Sequence, residues 1–166
     1  MHKSHRRVDI LSSEGAISIS FIQPRAPIRL KFQFLCDPLS GQLTFISRIC
    51  RYFSAFCFKV EDLRISSTRL SIREKHCCSW KMIIGSFTSV KWFHVARDFL
   101  TEIVDILQML NECSGAFRVF SQPGPLALHK LYIQQPGLCH APLSVAVVLF
   151  MIKRWRSGRP IAVEYE

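Results

Sequence analysis

Between Val90 and Leu110 the hydrophobic pattern changes period within a few residues. Val90, Phe93 and Val95 read as a short strand, whereas Leu100, Ile103, Val104, Leu107 and Leu110 fall on one stripe of a helix. A strand feeding directly into an amphipathic helix is half of a βαβ unit, and such a half buries its apolar faces only against neighbours of the same kind. The chain therefore has to supply more of them.

Ile17, Ile19 and Phe21 alternate with serines, Pro24 and Pro27 bracket a turn, and Ile28 to Phe34 alternates again, giving two strand signals. Leu43, Ile46, Ile49, Cys50, Phe53 and Phe56 then recur at helical spacing. Val60 to Ile65 reads as a strand, Trp80 to Ile84 as a short helix, Leu128 to Ile133 as a strand and Leu143 to Trp155 as an apolar helix. Residues 113–125 and 134–142 read as loops. Gly158 stands where a left-handed helix cap costs least, Pro160 prevents continuation, and Ile161 to Tyr165 is a last strand.

Apolar pairs at Leu30/Phe32, Leu63/Ile65, Phe93/Val95, Leu131/Ile133 and Ile161/Val163 are spaced by 33, 30, 38 and 30 residues. Self-similarity at such intervals predicts a solenoid whose units are stable only when stacked. The expected fold is thus α/β, a short degenerate leucine-rich-repeat-like solenoid of strand-helix units with a mainly parallel sheet. Residues 1–15 are expected to form a disordered basic lead and residues 16–166 a single α/β repeat-like domain. Any strand-helix alternation repeats at about this interval, so an ordinary α/β domain is the alternative.

Composition agrees with an ordered core: 49% of the 166 residues are apolar, and 13 are Phe. The 22 Lys and Arg against 12 Asp and Glu leave a formal charge of +10, a balance that favours encounters with polyanions or an acidic protein. Seven cysteines with no Cys-x-x-Cys pair fit reduced, mostly buried thiols in the cytosol or nucleus. No secretory signal is legible. The most apolar run, Ala141 to Ile152, is too short to span a bilayer, and no membrane partner is expected.

Catalytic patterns are scarce. His76-Cys77-Cys78, with Cys113, Cys139 and His140, lacks the paired spacing of a zinc site. There is no Gly-x-Ser-x-Gly turn, and pairing a cysteine with His94 or His129 is arbitrary. Glu61, Asp62, Glu102 and Asp105 read as solvated, and the glycines are dispersed. Neither an enzyme, a cofactor nor a small-molecule substrate is expected. Arg51-Tyr52-Phe53, Lys91-Trp92 and Lys153 to Arg156 offer the cation and aromatic pairing of a nucleic-acid binder. The candidate partner-contact residues are the polar ones between core positions on successive strands: Arg64, Lys91, His94, Lys130 and Tyr132.

Ser89 to Val95, Leu128 to Ile133, Ala141-Pro142-Leu143 and Ser157 to Glu166, with Ile28 to Phe32 and Val60 to Ile65 before them, resemble the C-terminal half of F-box and leucine-rich-repeat-like proteins of mushroom-forming fungi. The resemblance covers roughly residues 28–166 and is one of pattern. It implies a curved α/β repeat arm that recognises another protein; in the family, an F-box recruits the Skp adaptor of a cullin ubiquitin ligase. Nothing before Ile28 looks like an F-box, and residues 113–126 do not match the family's approach to the next strand. Ser144, Val145 and Arg156 also depart from the family helix, leaving its outer face apolar. The expectation is a non-enzymatic protein-protein interaction module with an acidic partner. The alternatives are a nucleic-acid or other polyanion-binding protein, or a truncated repeat fragment with no independent function.

Overall fold

The structure, a computed structural model, describes residues 6–13, 15–23, 29–35, 39–67, 77–116, 127–134 and 145–166. Seven strands form one sheet: β1 (Arg7–Ser13), β2 (Ala16–Ile22), β3 (Arg29–Leu35), β4 (Asp62–Ser67), β5 (Trp92–Ala96), β6 (Lys130–Gln134) and β7 (Ala162–Tyr165). The helices are α1 (Leu39–Tyr52), α2 (Ser54–Cys57), α3 (Cys77–Gly85), α4 (Leu100–Ala116) and α5 (Val145–Arg156). The strand order is β3-β2-β1-β4-β5-β6-β7. β1, β4, β5, β6 and β7 run parallel, each beside the next, while β2 and β3 complete an antiparallel meander on the other side of β1. The fold is therefore α/β with a mostly parallel sheet.

Alternation divides the sheet into two faces. Val8 and Ile10, Leu63 and Ile65, Phe93 and Val95, and Leu131 and Ile133 are buried neighbours across four strands. Against them lie Leu43, Ile46 and Cys50 of α1, Trp80, Ile83 and Ile84 of α3, Ile103, Val104 and Leu107 of α4, and Val147 and Phe150 of α5. The helices pack in chain order, α1 on α3, α3 on α4 and α4 on α5. Each uses a stripe with helical spacing, which is why a strand-to-helix change of period recurs along the chain.

Two turns depend on glycine. Ser13 pairs with Ala16 across a two-residue hairpin loop in which Gly15 has φ 70°. After α5, Gly158 has φ 71°; its amide donates to the Trp155 carbonyl (3.0 Å) and the Arg159 amide to that of Arg154 (2.9 Å). Those two bonds are a Schellman cap. The cap expected from Ser157-Gly158 is present.

The largest correction concerns residues 7–13. Instead of a disordered lead, residues 7–13 form β1, between β2 and β4 and interior to the sheet. Val8, Ile10 and Ser12 point into the core and Arg7 and Asp9 away from it, but a serine inside and Leu11 outside break the apolar alternation. β1 also takes the place assigned to Leu30 and Phe32: Val8 and Ile10, not that pair, stand beside Leu63 and Ile65. Leu30 and Phe32 lie on the edge strand β3, antiparallel to β2, with Leu30 46% exposed. At the other end the register is two residues later than expected, since Leu131 pairs with Val163 rather than Ile161.

The first helical stripe breaks at Phe53 into α1 and α2. α4 runs on to Ala116, through residues expected as loop. Residues 117–126 and 135–144, with the expected loop positions, Cys139, His140 and the start of the last helix, lie outside the described residues, as does His76.

Candidate functional site

The face of the sheet turned away from the described helices carries the polar residues of the strands, and register arranges them in rows. Asp9, Arg64, His94, Tyr132 and Glu164 are successive neighbours across β1, β4, β5, β6 and β7. One step earlier along each strand, Arg7, Asp62, Trp92, Lys130 and Ala162 form a second row. Three of the five candidate residues, Arg64, His94 and Tyr132, therefore stand side by side, and Lys130 lies in the adjoining row.

Lys91 is placed differently. It precedes β5, in a line of residues that hands backbone bonds from one strand entry to the next. The Arg6 carbonyl accepts from the amides of Glu61 and Asp62, that of Glu61 from Lys91 and Trp92, that of Lys91 from His129 and Lys130, and that of His129 from Ala162. Parallel strands arriving in the same phase produce such a line. It sets Lys91 beside Glu61, with which it forms an ion pair, and its ammonium lies 5.8 Å from the centre of the Trp92 ring.

His94 is at the centre of the face, its side chain only 5% exposed. Nε2 lies 3.3 Å from Asp62 Oδ1 and Nδ1 lies 2.9 Å from Glu166 Oε2. Tyr132 stacks on the ring, with centroids 4.3 Å apart and planes 10° from parallel. Arg64 reaches Asp62 at 3.6 Å, Arg7 Nε reaches Asp9 at 3.0 Å, and Lys130 donates to Glu164 at 2.6 Å. The Lys130 ammonium also sits 5.8 Å from the Tyr132 ring centre.

Two half-buried carboxylates respond in opposite directions. Burial by itself would raise the Asp62 carboxyl, but His94 first, and then Arg64 and Arg7, more than offset it and hold Asp62 below the ordinary carboxylate range. Asp9 is pushed up by burial, which Arg7, Arg64 and Arg29 only partly counter. Lys130 is pushed up by its hydrogen bond to Glu164.

Each predicted cation of this face thus has a carboxylate neighbour: Arg64 with Asp62, Lys91 with Glu61, Lys130 with Glu164. Of these acidic neighbours, Glu61 and Asp62 read from the sequence as solvated, while Glu164 and Glu166 are missed by reading it segment by segment. A signal for the rows does exist. The frame apolar-x-x-apolar-x-apolar at Val60, Val90 and Leu128 makes Arg64, His94 and Tyr132 equivalent and, separately, Glu61, Lys91 and His129.

Cys50 and Cys57 are buried and free, and the contact with Cys57 followed by burial pushes the Cys50 thiol up, the direction that suppresses thiolate reactivity. Cys78 is exposed on α3.

What the site offers is a fixed polar ledge with Arg64, Trp92 and Tyr132 along it. No family model matches the chain, and no curated protein or solved structure is significantly similar to it.

Proposed function

We propose that this chain is a non-enzymatic protein-interaction module that receives a folded partner on the open face of its sheet. The observation that carries the reading is the row Arg64, His94, Tyr132, held in register by β4, β5 and β6 and fixed by Asp62, Glu166 and ring stacking. A face whose side chains are already ordered loses little rotamer freedom when a partner arrives. Arg64, Trp92 and Tyr132 are also of the residue types that concentrate binding energy in protein interfaces.

The ion pairs refine the kind of partner. With the cations of the face neutralised by Asp62, Glu61 and Glu164, the surface is locally balanced, and it suits a mixed polar and aromatic partner better than a uniformly acidic one. We read the consecutive parallel strands β4 to β7 with chain-order helices as solenoid-like units, β1 serving as their first strand. From the leucine-rich-repeat resemblance the proposal takes the recognition role alone.

The test is affinity capture with the full chain, followed by measurement of each captured protein's binding to the parent, to Tyr132→Ser and to Trp92→Ser. Both positions are half-buried on the face and outside the core. The reading requires one partner that both substitutions weaken, with modest dependence on salt. A partner set that ignores both substitutions overturns it.

A further inference from the structure

α5 is apolar on two opposite sides. Val147 and Phe150 enter the core, and Arg154 is buried beside them, donating from Nη2 to the Leu128 carbonyl at 2.9 Å. On the other side Val145, Val148, Leu149, Ile152 and Trp155 are exposed, Val145 by 74% and Trp155 by 71%. At 3.6 residues per turn these five fall within one arc opposite the buried one. The stripe therefore points out of the helix layer, away from the sheet. A contiguous exposed apolar patch of this extent marks a contact surface.

Charge indicates what covers it. From Val145 to Arg159 the chain carries Lys153, Arg154, Arg156 and Arg159 and no acidic residue. Lys153, Arg156 and Arg159 are exposed at the C-terminal end of the stripe. Asp9, Glu61, Asp62, Glu164 and Glu166 lie on the sheet face or at its strand entries, each beside a cation or His94, and the other acidic residues of the described segments, Asp98, Glu102, Asp105 and Glu112, belong to α4 or the turn before it. α5 and its cap are thus basic without an acidic residue of their own.

A second copy laid stripe to stripe would offer these cations no acidic residue, since 145–159 carries none. A nucleic acid would set phosphates over aliphatic side chains. A convex apolar stripe ending in Trp and bordered by Lys and Arg fits a lipid interface: aliphatic groups enter the acyl boundary, the indole sits at headgroup level, and the cations meet anionic phosphates.

We propose that α5 docks this protein on an anionic phospholipid surface, with Val145, Val148, Leu149, Ile152 and Trp155 entering the headgroup-acyl boundary and Arg156 and Arg159 contacting lipid phosphates. The helix lies on the bilayer; among the described residues none is long and apolar enough to cross one. The sequence expectation of no membrane partner weighed only the length needed to span. Docking through α5 directs the sheet face away from the lipid, and it does not depend on what that face binds.

The experiment is flotation of the full chain with vesicles of phosphatidylcholine alone and of phosphatidylcholine mixed with phosphatidylserine, at physiological salt. The chain floats with the mixed vesicles and remains free of the neutral ones. Leu149→Glu with Trp155→Glu lowers the partition by about tenfold or more, and Arg156→Gln with Arg159→Gln by a smaller factor that shrinks as salt rises. All four side chains are exposed, and unchanged far-UV circular dichroism confirms that the variants fold. Trp155→Leu keeps flotation but loses fluorescence quenching by bromine-labelled acyl chains. Absence of flotation with anionic vesicles overturns the proposal, and so does flotation that survives Leu149→Glu with Trp155→Glu. Self-association, or binding to an RNA duplex, that the same double variant abolishes in a chain that does not float assigns the stripe to another occupant and overturns it equally.

Discussion

His94 and Glu166 join two strands that are not neighbours: Nδ1 of the histidine on β5 meets Oε2 of the glutamate just past β7, at 2.9 Å, with β6 lying between them. Tyr132 fills the gap by stacking on the imidazole, so the contact spans three strands of the sheet. Because Asp62 holds the other ring nitrogen, β4 is tied in as well.

Replacing Glu166 tests that tie. Glu166 is 40% exposed on its side chain, and solvent screening keeps the global cost of Glu166→Gln below about 1 kcal/mol. The effect is local. Amide exchange at Glu166, which donates to the Ile133 carbonyl at 3.0 Å, accelerates, while exchange in β4 and β5 does not change. Equal acceleration throughout the sheet would show that the contact is not confined to the end of β7.

Asp62 and Asp9 give opposite pH signatures. A carboxyl held low in the folded state contributes stability that is complete above its unfolded pKa and vanishes as pH falls through the folded value. Asp62→Asn therefore costs about 1–2 kcal/mol near neutrality and nothing in acid below that value. Asp9 is raised, so its contribution is complete below the unfolded pKa and is lost as pH rises through the folded one. Asp9→Asn is accordingly neutral or mildly stabilising near neutrality, despite losing the Arg7 contact. Urea unfolding of both variants at neutral and acidic pH measures the difference, and a pH-independent cost for Asp62→Asn contradicts it.

The placement of β1 is tested by a pair of truncations. Ile10 is 1% exposed and Leu30 46%. Ile10→Ala loses about 2–5 kcal/mol through lost burial and the cavity left behind, while Leu30→Ala changes stability by about 0.5 kcal/mol or less. If the two costs came out reversed, Leu30 would belong to the core ladder and β1 would not.

Gly158 isolates backbone strain from packing. A Cβ built there meets nothing within 4 Å, but φ is +71°. Gly158→Ala costs about 1–2 kcal/mol, and Gly158→Asn costs less because Asn tolerates the left-handed region. Chemical denaturation of both ranks them, and equal costs would point to a crowded site instead.

These elements separate what the sequence discloses from what it hides. Leu63, Ile65, Phe93, Val95, Leu131 and Ile133 are legible because each pair alternates cleanly and leads towards a helical stripe, so β4, β5 and β6 and the row Arg64, His94, Tyr132 follow from counting residues. β1 is hidden because its alternation is short: after Val8 and Ile10 the apolar Leu11 faces outward and Ser12 takes the core position, so the period fails within four residues. Its pairing with β4 joins residues 55 positions apart, which no local pattern encodes. The ion pairs are hidden for another reason: Lys130 and Glu164, or His94 and Glu166, meet only once the register is fixed. The break at Phe53 is likewise invisible to periodicity, since Phe53 and Phe56 still pack on Phe21 after the helix turns.

The interior position of β1 bears on how the chain assembles. β1, β2 and β3 are joined by short connections and pair with their immediate successors, so this meander is the cheapest part of the sheet to nucleate. Its inner edge then serves as the template on which β4 docks, and β5, β6 and β7 add in turn. A protease nick before Ala16 that releases β1 would remove the strand bridging the antiparallel and parallel halves. The single ribbon would become two fragments, each with an exposed seam prone to pairing with other molecules.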